Sequence, residues 1–138
     1  MQTLTTTGEQ PVPPPAALRE ITGAVVDSAF KVHSRLGPGL LEAVYETCLK
    51  YELERRGLRV QRQVALPVVY EGMRFETGYR LDMLVEASVI VELKSVEAVT
   101  DVHKAQLKTY LKLSGHRVGL LVNFNTTLIR DGITRIAL

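Results

Sequence analysis

The hydrophobic period of this chain switches from helical to alternating just after Gly57 and back to helical near Thr100, an order that few folds accommodate. From Leu18 to Leu36, Ile21, Val25, Val32 and Leu36 recur at helical spacing until Gly37-Pro38-Gly39 interrupts them. A second helix is expected from Leu40 to Arg56, with Leu41, Val44, Cys48 and Leu49 or Leu53 turned inward and Gly57 ending it in the left-handed conformation. Together they predict an N-terminal helical hairpin. Leu58–Leu66, Val68–Tyr70, Met73–Thr77, Tyr79–Val85 and Ser88–Ser95 then read as strands, punctuated by turns at Glu71-Gly72 and Gly78.

A third helix, capped at Thr100 or Asp101, carries Val102, Ala105, Leu107, Leu111 and Leu113 and stops at Gly115. Arg117–Phe124 contains the buried-type run Val118-Gly119-Leu120-Leu121-Val122, and a last hairpin pairs Leu128–Arg130 with Ile133–Leu138 across Asp131-Gly132. Helices, strands, a helical crossover and a buried strand, in that order, imply an α/β fold: a mixed β-sheet flanked by helices.

With 138 residues, 46% of them hydrophobic, the chain can bury the core of one domain, placed at residues 17–138. Residues 1–16, Thr-, Gln- and Pro-rich, are expected to form an extended, disordered tail. The start carries no positively charged, apolar leader pattern, and no apolar run approaches the roughly 18 residues of a membrane span, so a soluble protein is expected. The single cysteine, Cys48, has no intramolecular partner and suits a cytoplasmic setting. A net charge of +2 permits nucleic-acid binding without demanding it.

Chemistry concentrates between Tyr79 and Ser95. If the hairpin closes around Ala87, Asp82 stands opposite Glu92; Tyr79, Leu81, Met83, Val85, Val89, Val91 and Leu93 form one apolar face, and Arg80, Asp82, Glu92 and Lys94 share the other. Opposed like charges weaken a strand pair, so this juxtaposition requires a cation. One reading is a salt-bridge ladder in which Lys94 neutralises Asp82 and Arg80 neutralises Glu92. The other is a site for Mg²⁺ or Mn²⁺, with Asp82 and Glu92 as oxygen ligands, the Leu93 carbonyl as a further one, and Lys94 orienting the attacking water.

Asp82 followed by Glu92-Leu93-Lys94 resembles the D…ExK core of the PD-(D/E)XK nuclease superfamily. Gly39-Leu40-Leu41-Glu42-Ala43-Val44-Tyr45 resembles the GxxExxY motif that names a family of small proteins within it, and Gln106-Leu107-Lys108-Thr109-Tyr110 its exonuclease-like QxxxY element. The resemblance covers roughly residues 18 to 138 and includes Gly119-Leu120-Leu121-Val122-Asn123-Phe124-Asn125. One departure is Leu81, where the superfamily's name has proline before the aspartate; proline supplies no ligand. The resemblance implies a restriction-endonuclease-like core and a metal-dependent nuclease acting on nucleic acid, DNA above all.

It also implies that Glu42 joins Asp82 and Glu92 at the metal; taken by itself, Glu42 is better read as complementing the positive helix N-terminus. Lys94 becomes the catalytic lysine, and Gln106, Tyr110 and Tyr45 position substrate. His103 extends the Gln106–Tyr110 stripe but taken alone is better read as part of a solvated helix face, and His33 stands between packing and the site. The arginines at 55, 56, 59 and 62 are expected at a solvated helix end as readily as along a phosphate backbone. A chain this short leaves little surface beyond the site, which a homodimer or partner protein could supply. The alternative function is a non-cleaving or partner-dependent nucleic-acid-binding module on the same fold.

Overall fold

A computed structural model describes residues 14–76 and 78–138. Most of the expected tail therefore lies outside the described residues, as does the predicted end of a strand at Thr77. Pro15 and Ala16, assigned to the tail by composition, instead open the first helix, α1 (Pro15–Leu36), where a proline's missing amide costs nothing. Its inward stripe is Leu18, Val25, Ala29 and Val32, with Ile21 packed alongside; Leu36, expected inward, is more exposed than buried residues of the stripe.

Helix α2 (Glu42–Arg55) begins later than its apolar residues suggested. Leu41 is its N-cap and is exposed, as is Val44, so the buried stripe is Tyr45, Leu49 and Leu53, at four-residue spacing. Gly57 ends the helix as expected: its φ is +83°, its amide donates to Glu54, and the Leu58 amide donates to Leu53. Truncating the fully buried Leu49 to alanine would cost roughly 2–5 kcal/mol.

The strands are β1 (Val60–Ala65), β2 (Val68–Tyr70), β3 (Met73–Phe75), β4 (Arg80–Val85), β5 (Val89–Lys94), β6 (Val118–Asn123) and β7 (Ile133–Ala137), with α3 (Asp101–Ser114) between β5 and β6. Five of them form one sheet in the order β1-β4-β5-β6-β7, while β2 and β3 pair as a separate short hairpin. Among the described residues only β5 and β6 run parallel, joined through α3. The fold is thus α/β, a mixed sheet flanked by helices with an N-terminal helix pair. No helix among the described residues is long and apolar enough to cross a membrane.

One face of the sheet meets α1 and α2 through Met83, Val85, Val89, Val91 and Leu93. The other meets α3 through Leu81, Leu84, Ile90 and Leu121. A Cβ at Gly119 would come within 2.8 Å of Leu107 Cδ1, so the glycine permits the close seating of α3 on β6. Both helix ends of α3 are specified: Thr100 caps its start and Gly115, at φ +81°, its finish. Its buried residues are Leu107, Tyr110 and Leu111, whereas Val102 faces solvent.

The final hairpin differs from expectation. Ile129–Gly132 is a 3-10 turn, not a strand, and β7 pairs with β6 in an antiparallel register from Val118↔Ala137 to Val122↔Ile133. The apolar run at the C-terminus therefore closes the sheet edge, a long-range pairing that outcompetes the local one.

Candidate active site

The β4–β5 connection places the carboxylates. Glu86 and Ala87 both have left-handed φ, +52° and +51°, and Ser88 N donates to Val85 O at 3.0 Å, the tight turn suited to a twisted hairpin. The pairs Val85↔Val89, Leu84↔Ile90 and Met83↔Val91 follow, and continuing this register brings Asp82 opposite Glu92. There the ladder gives way. Asp82 N donates to Glu92 Oε2 at 2.9 Å, and Leu93 N donates to Asp82 Oδ2 at 2.9 Å.

The alternation of faces also breaks at Asp82. Leu81, expected beside Met83 and Val85, packs with Leu84 on the α3 face, and Tyr79, expected on the same apolar face, is 52% exposed. On β1 the residue that would oppose Asp82 is Gln63, whose φ is +53° while its neighbours Arg62 and Val64 keep the pairs Arg62↔Met83 and Val64↔Leu81. A non-glycine residue held left-handed inside a strand stores strain, and such strain collects at functional sites. Its side chain is put to use: Gln63 Nε2 donates to Glu46 at 3.2 Å.

The salt-bridge ladder does not form. Among the described residues, the ion pairs include neither Lys94 with Asp82 nor Arg80 with Glu92, and Arg80 donates instead to the Gln63 carbonyl. Lys94 is half-buried, and its charge acts on both carboxylates without closing on either. The arginines after Lys50 pair locally: Arg55 with Glu52, Arg56 with Asp27, Arg59 with Glu86 and Arg62 with Glu46.

Glu42 is the first residue of α2, and its Oε2 accepts from Ser95 N at 3.3 Å; Ser95 Oγ donates to Leu40 O at 2.7 Å. These bonds stitch the start of α2 to the end of β5, near enough for the Glu42 charge to bear on Asp82. Glu46, one turn further, was not singled out by the sequence; its charge acts on Glu92, as Asp82's acts on it. The i, i+4 spacing from Glu42 was the signal that would have found it.

Tyr45 is fully buried. Its hydroxyl donates to Gly37 O at 2.6 Å and accepts from Leu40 N at 3.1 Å, and its ring stacks on Phe124 with centroids 4.4 Å apart. It clasps the loop that delivers Glu42. Gln106, exposed, and Tyr110, largely buried, share one face of α3 along a cleft that Val68, Phe75 and Tyr79 also line, and the charges of Glu92 and Asp82 bear on Tyr110. His103 completes a capping box: Thr100 N donates to its Nδ1 at 3.0 Å while its own amide donates to Thr100 Oγ1. His33 Nε2 donates to Thr126 O at 2.7 Å, tying α1 to the loop after β6.

Asn123 is a second residue that the sequence did not single out. Buried opposite Lys94 on the parallel strand, it accepts from Val96 N at 3.1 Å and donates to Val96 O at 3.0 Å, fixing the chain that leaves Lys94.

Electrostatics express the crowding. Burial, reinforced by the Asp82 charge, pushes Glu92 up to about 8. Burial also raises Asp82, with the Leu93 amide and Lys94 opposing and Glu42 adding to the rise. Glu46 is raised chiefly by burial too. Each central carboxylate commits one oxygen to a backbone amide, and Gln63 also bears on Asp82; two such acids side by side are oxygen donors of the kind hard divalent ions take. Among the described residues no three His, Cys, Asp or Glu side chains stand close enough to enclose a metal, so Asp82 and Glu92 form a two-carboxylate core with the α2 acids flanking it.

No curated protein and no solved structure gives a significant match to the chain. A family model described as the PD-(D/E)XK nuclease superfamily matches residues 19–136. That match takes in α1 from Arg19 onward, all of α2, the sheet up to Ile136 and the Asp82–Glu92–Lys94 cluster, and the chain belongs to the PD-(D/E)XK nuclease superfamily.

Proposed function

We propose that this protein is a divalent-metal-dependent phosphodiesterase of the GxxExxY kind that cleaves nucleic acid, with DNA as its substrate and Mg²⁺ or Mn²⁺ as its ion. Nucleases of the superfamily generally use divalent metals. One observation carries the reading: a buried carboxylate, Glu92, faces a half-buried one, Asp82, with no ion pair among the described residues, beside a lysine that closes on neither. A salt-bridged scaffold would have closed that gap.

Asp82 and Glu92 would hold the ion with the Leu93 carbonyl, and Glu42, tied to the end of β5 through Ser95 N, would flank it and reach it only by moving closer. When bound, it would neutralise charge on the phosphate and acidify a water. Lys94 Nζ would orient the attacking water and stabilise the negative charge that develops on the phosphoryl oxygens. Tyr45 acts indirectly, through the Gly37–Leu40 loop and hence Glu42, while Gln106 and Tyr110 contact substrate directly. The unpaired Cys48 is consistent with the cytoplasm.

A second reading has its own support, because the described carboxylates do not enclose a metal. On that reading the module binds nucleic acid without cleaving, or needs a second copy or a partner protein to complete the site. Calorimetric titration of the metal-free protein with Mn²⁺ separates the two. The first predicts binding to wild type that disappears in both Asp82→Ala and Glu92→Ala. Folded wild type that takes up no Mn²⁺ would leave only the second.

A further inference from the structure

A cleft of about 560 Å³ separates the β2–β3 hairpin from α3. Its size falls within the roughly 300–1,000 Å³ of pockets that enclose small ligands. Val68 and Phe75 form one wall, Tyr79 adds a second aromatic ring, and the helix supplies Gln106, Thr109 and Tyr110. Val68 pairs with Phe75 and Tyr70 with Met73, so strand alternation puts Tyr70 and Met73 on the cleft's side of the hairpin and prolongs the lining outward. Tyr79 is 52% exposed and Tyr70 64%, an unusual investment of aromatic surface in water.

The inner end of this strip packs against the strand that carries Asp82, for Tyr110 shares a core cluster with Leu81. Tyr110 lines the cleft, and after burial the charges of Glu92 and Asp82 are what most raise its phenol, with Tyr79 next. The strip therefore runs from Tyr110, beside the strand that carries Asp82, through Tyr79 to Phe75 and Tyr70.

We infer that this cleft is a stacking site for unpaired bases, and that the natural substrate presents single-stranded nucleic acid to the carboxylates. The inference rests on the proposed action upon nucleic acid and specifies its substrate class. Three features favour this occupant. Aromatic faces accept any base that exposes its π-surface, which bases inside a duplex do not. Gln106 and Thr109 offer a donor and acceptor at the rim for base edges. Phe75, Tyr79 and the outward-lying Tyr70 set rings one after another along the strip, the arrangement on which successive bases of a strand stack.

The test is fluorescence anisotropy of the full chain with a labelled oligothymidylate and with a duplex of the same length, Ca²⁺ present, for wild type, Tyr79→Ala, Tyr79→Phe and Phe75→Ala. Mn²⁺ affinity is measured alongside. Wild type should prefer the single strand. Tyr79→Ala and Phe75→Ala should each weaken it roughly five- to a hundred-fold, Tyr79→Phe should retain it, and Mn²⁺ affinity should be the same in all four.

Equal or tighter duplex binding, or unchanged single-strand affinity in Tyr79→Ala, overturns the inference. So does a wild-type dimer in sedimentation that Phe75→Ala dissociates, since the strip would then be an interface between copies. If Phe75→Ala does not fold, the exposed Tyr79 pair of variants decides alone. Ring-dependent single-strand binding by a protein that takes up no Mn²⁺ would sink the hydrolase reading and uphold this one.

Discussion

Asp82 and Glu92 each bind the strand that carries the other: the Asp82 amide donates to Glu92 Oε2, and Asp82 Oδ2 accepts from the amide that follows Glu92. The two acids thereby replace ladder hydrogen bonds at the point where the hairpin opens. Their positions are fixed by backbone, so their mutual repulsion cannot be relieved by rotation away. It is relieved by a proton or by a cation.

Stability of the metal-free protein should therefore fall as pH rises. Glu92 titrates at about 8 in the fold against an ordinary 4.5, so the folded state holds this proton more tightly than the unfolded chain. The resulting stabilisation is complete below about 4.5 and lost as pH rises through about 8, on the order of a few kcal/mol. Asp82 shifts the same way. Thermal melts between pH 5 and 8.5 in chelator should show this slope, and Glu92→Gln should flatten it; a parallel slope in the variant would reject the assignment.

Tyr45→Phe should destabilise the fold by roughly 1–3 kcal/mol, because Gly37 O and Leu40 N both lose a partner. In urea the midpoint should drop with the slope unchanged. A wild-type midpoint would mean that the clasp contributes nothing to holding the α2 entry loop.

Gly132→Ala is expected to be more damaging. A Cβ there would lie 2.1 Å from the Asn123 carbonyl oxygen, a backbone atom that cannot swing aside. A loss of roughly 2–4 kcal/mol is expected, read as a lowered Tm. Asn123 also secures Val96 beyond Lys94, so the strain should be felt at the site as weaker Mn²⁺ binding.

Much of this was legible because it rests on local rules. Gly57 and Gly115 end helices where a left-handed residue was required, and closing the hairpin near Ala87 sufficed to oppose Asp82 and Glu92. The misses arise where tertiary packing overrules periodicity. Leu41 and Val44 fit an apolar stripe, but the helix starts at Glu42 and rotates Tyr45 inward instead. Leu81 changed faces because the strand distorts between Asp82 and Gln63, and no propensity announces a left-handed glutamine. Ile133–Ala137 found β6 over its sequence neighbour. His103 illustrates a subtler limit: a cap and a substrate contact use the same residue type, and only the Thr100 geometry separates them.

The most direct test is cleavage of labelled single-stranded and duplex DNA by the purified chain with Mn²⁺, comparing wild type with Lys94→Ala and Asp82→Ala. The account predicts Mn²⁺-dependent cleavage that falls by roughly 10²–10³ or more in Lys94→Ala while its Mn²⁺ binding persists, and loss of both cleavage and binding in Asp82→Ala. Cleavage that survives chelation, or equal activity in the wild type and both variants, would contradict it.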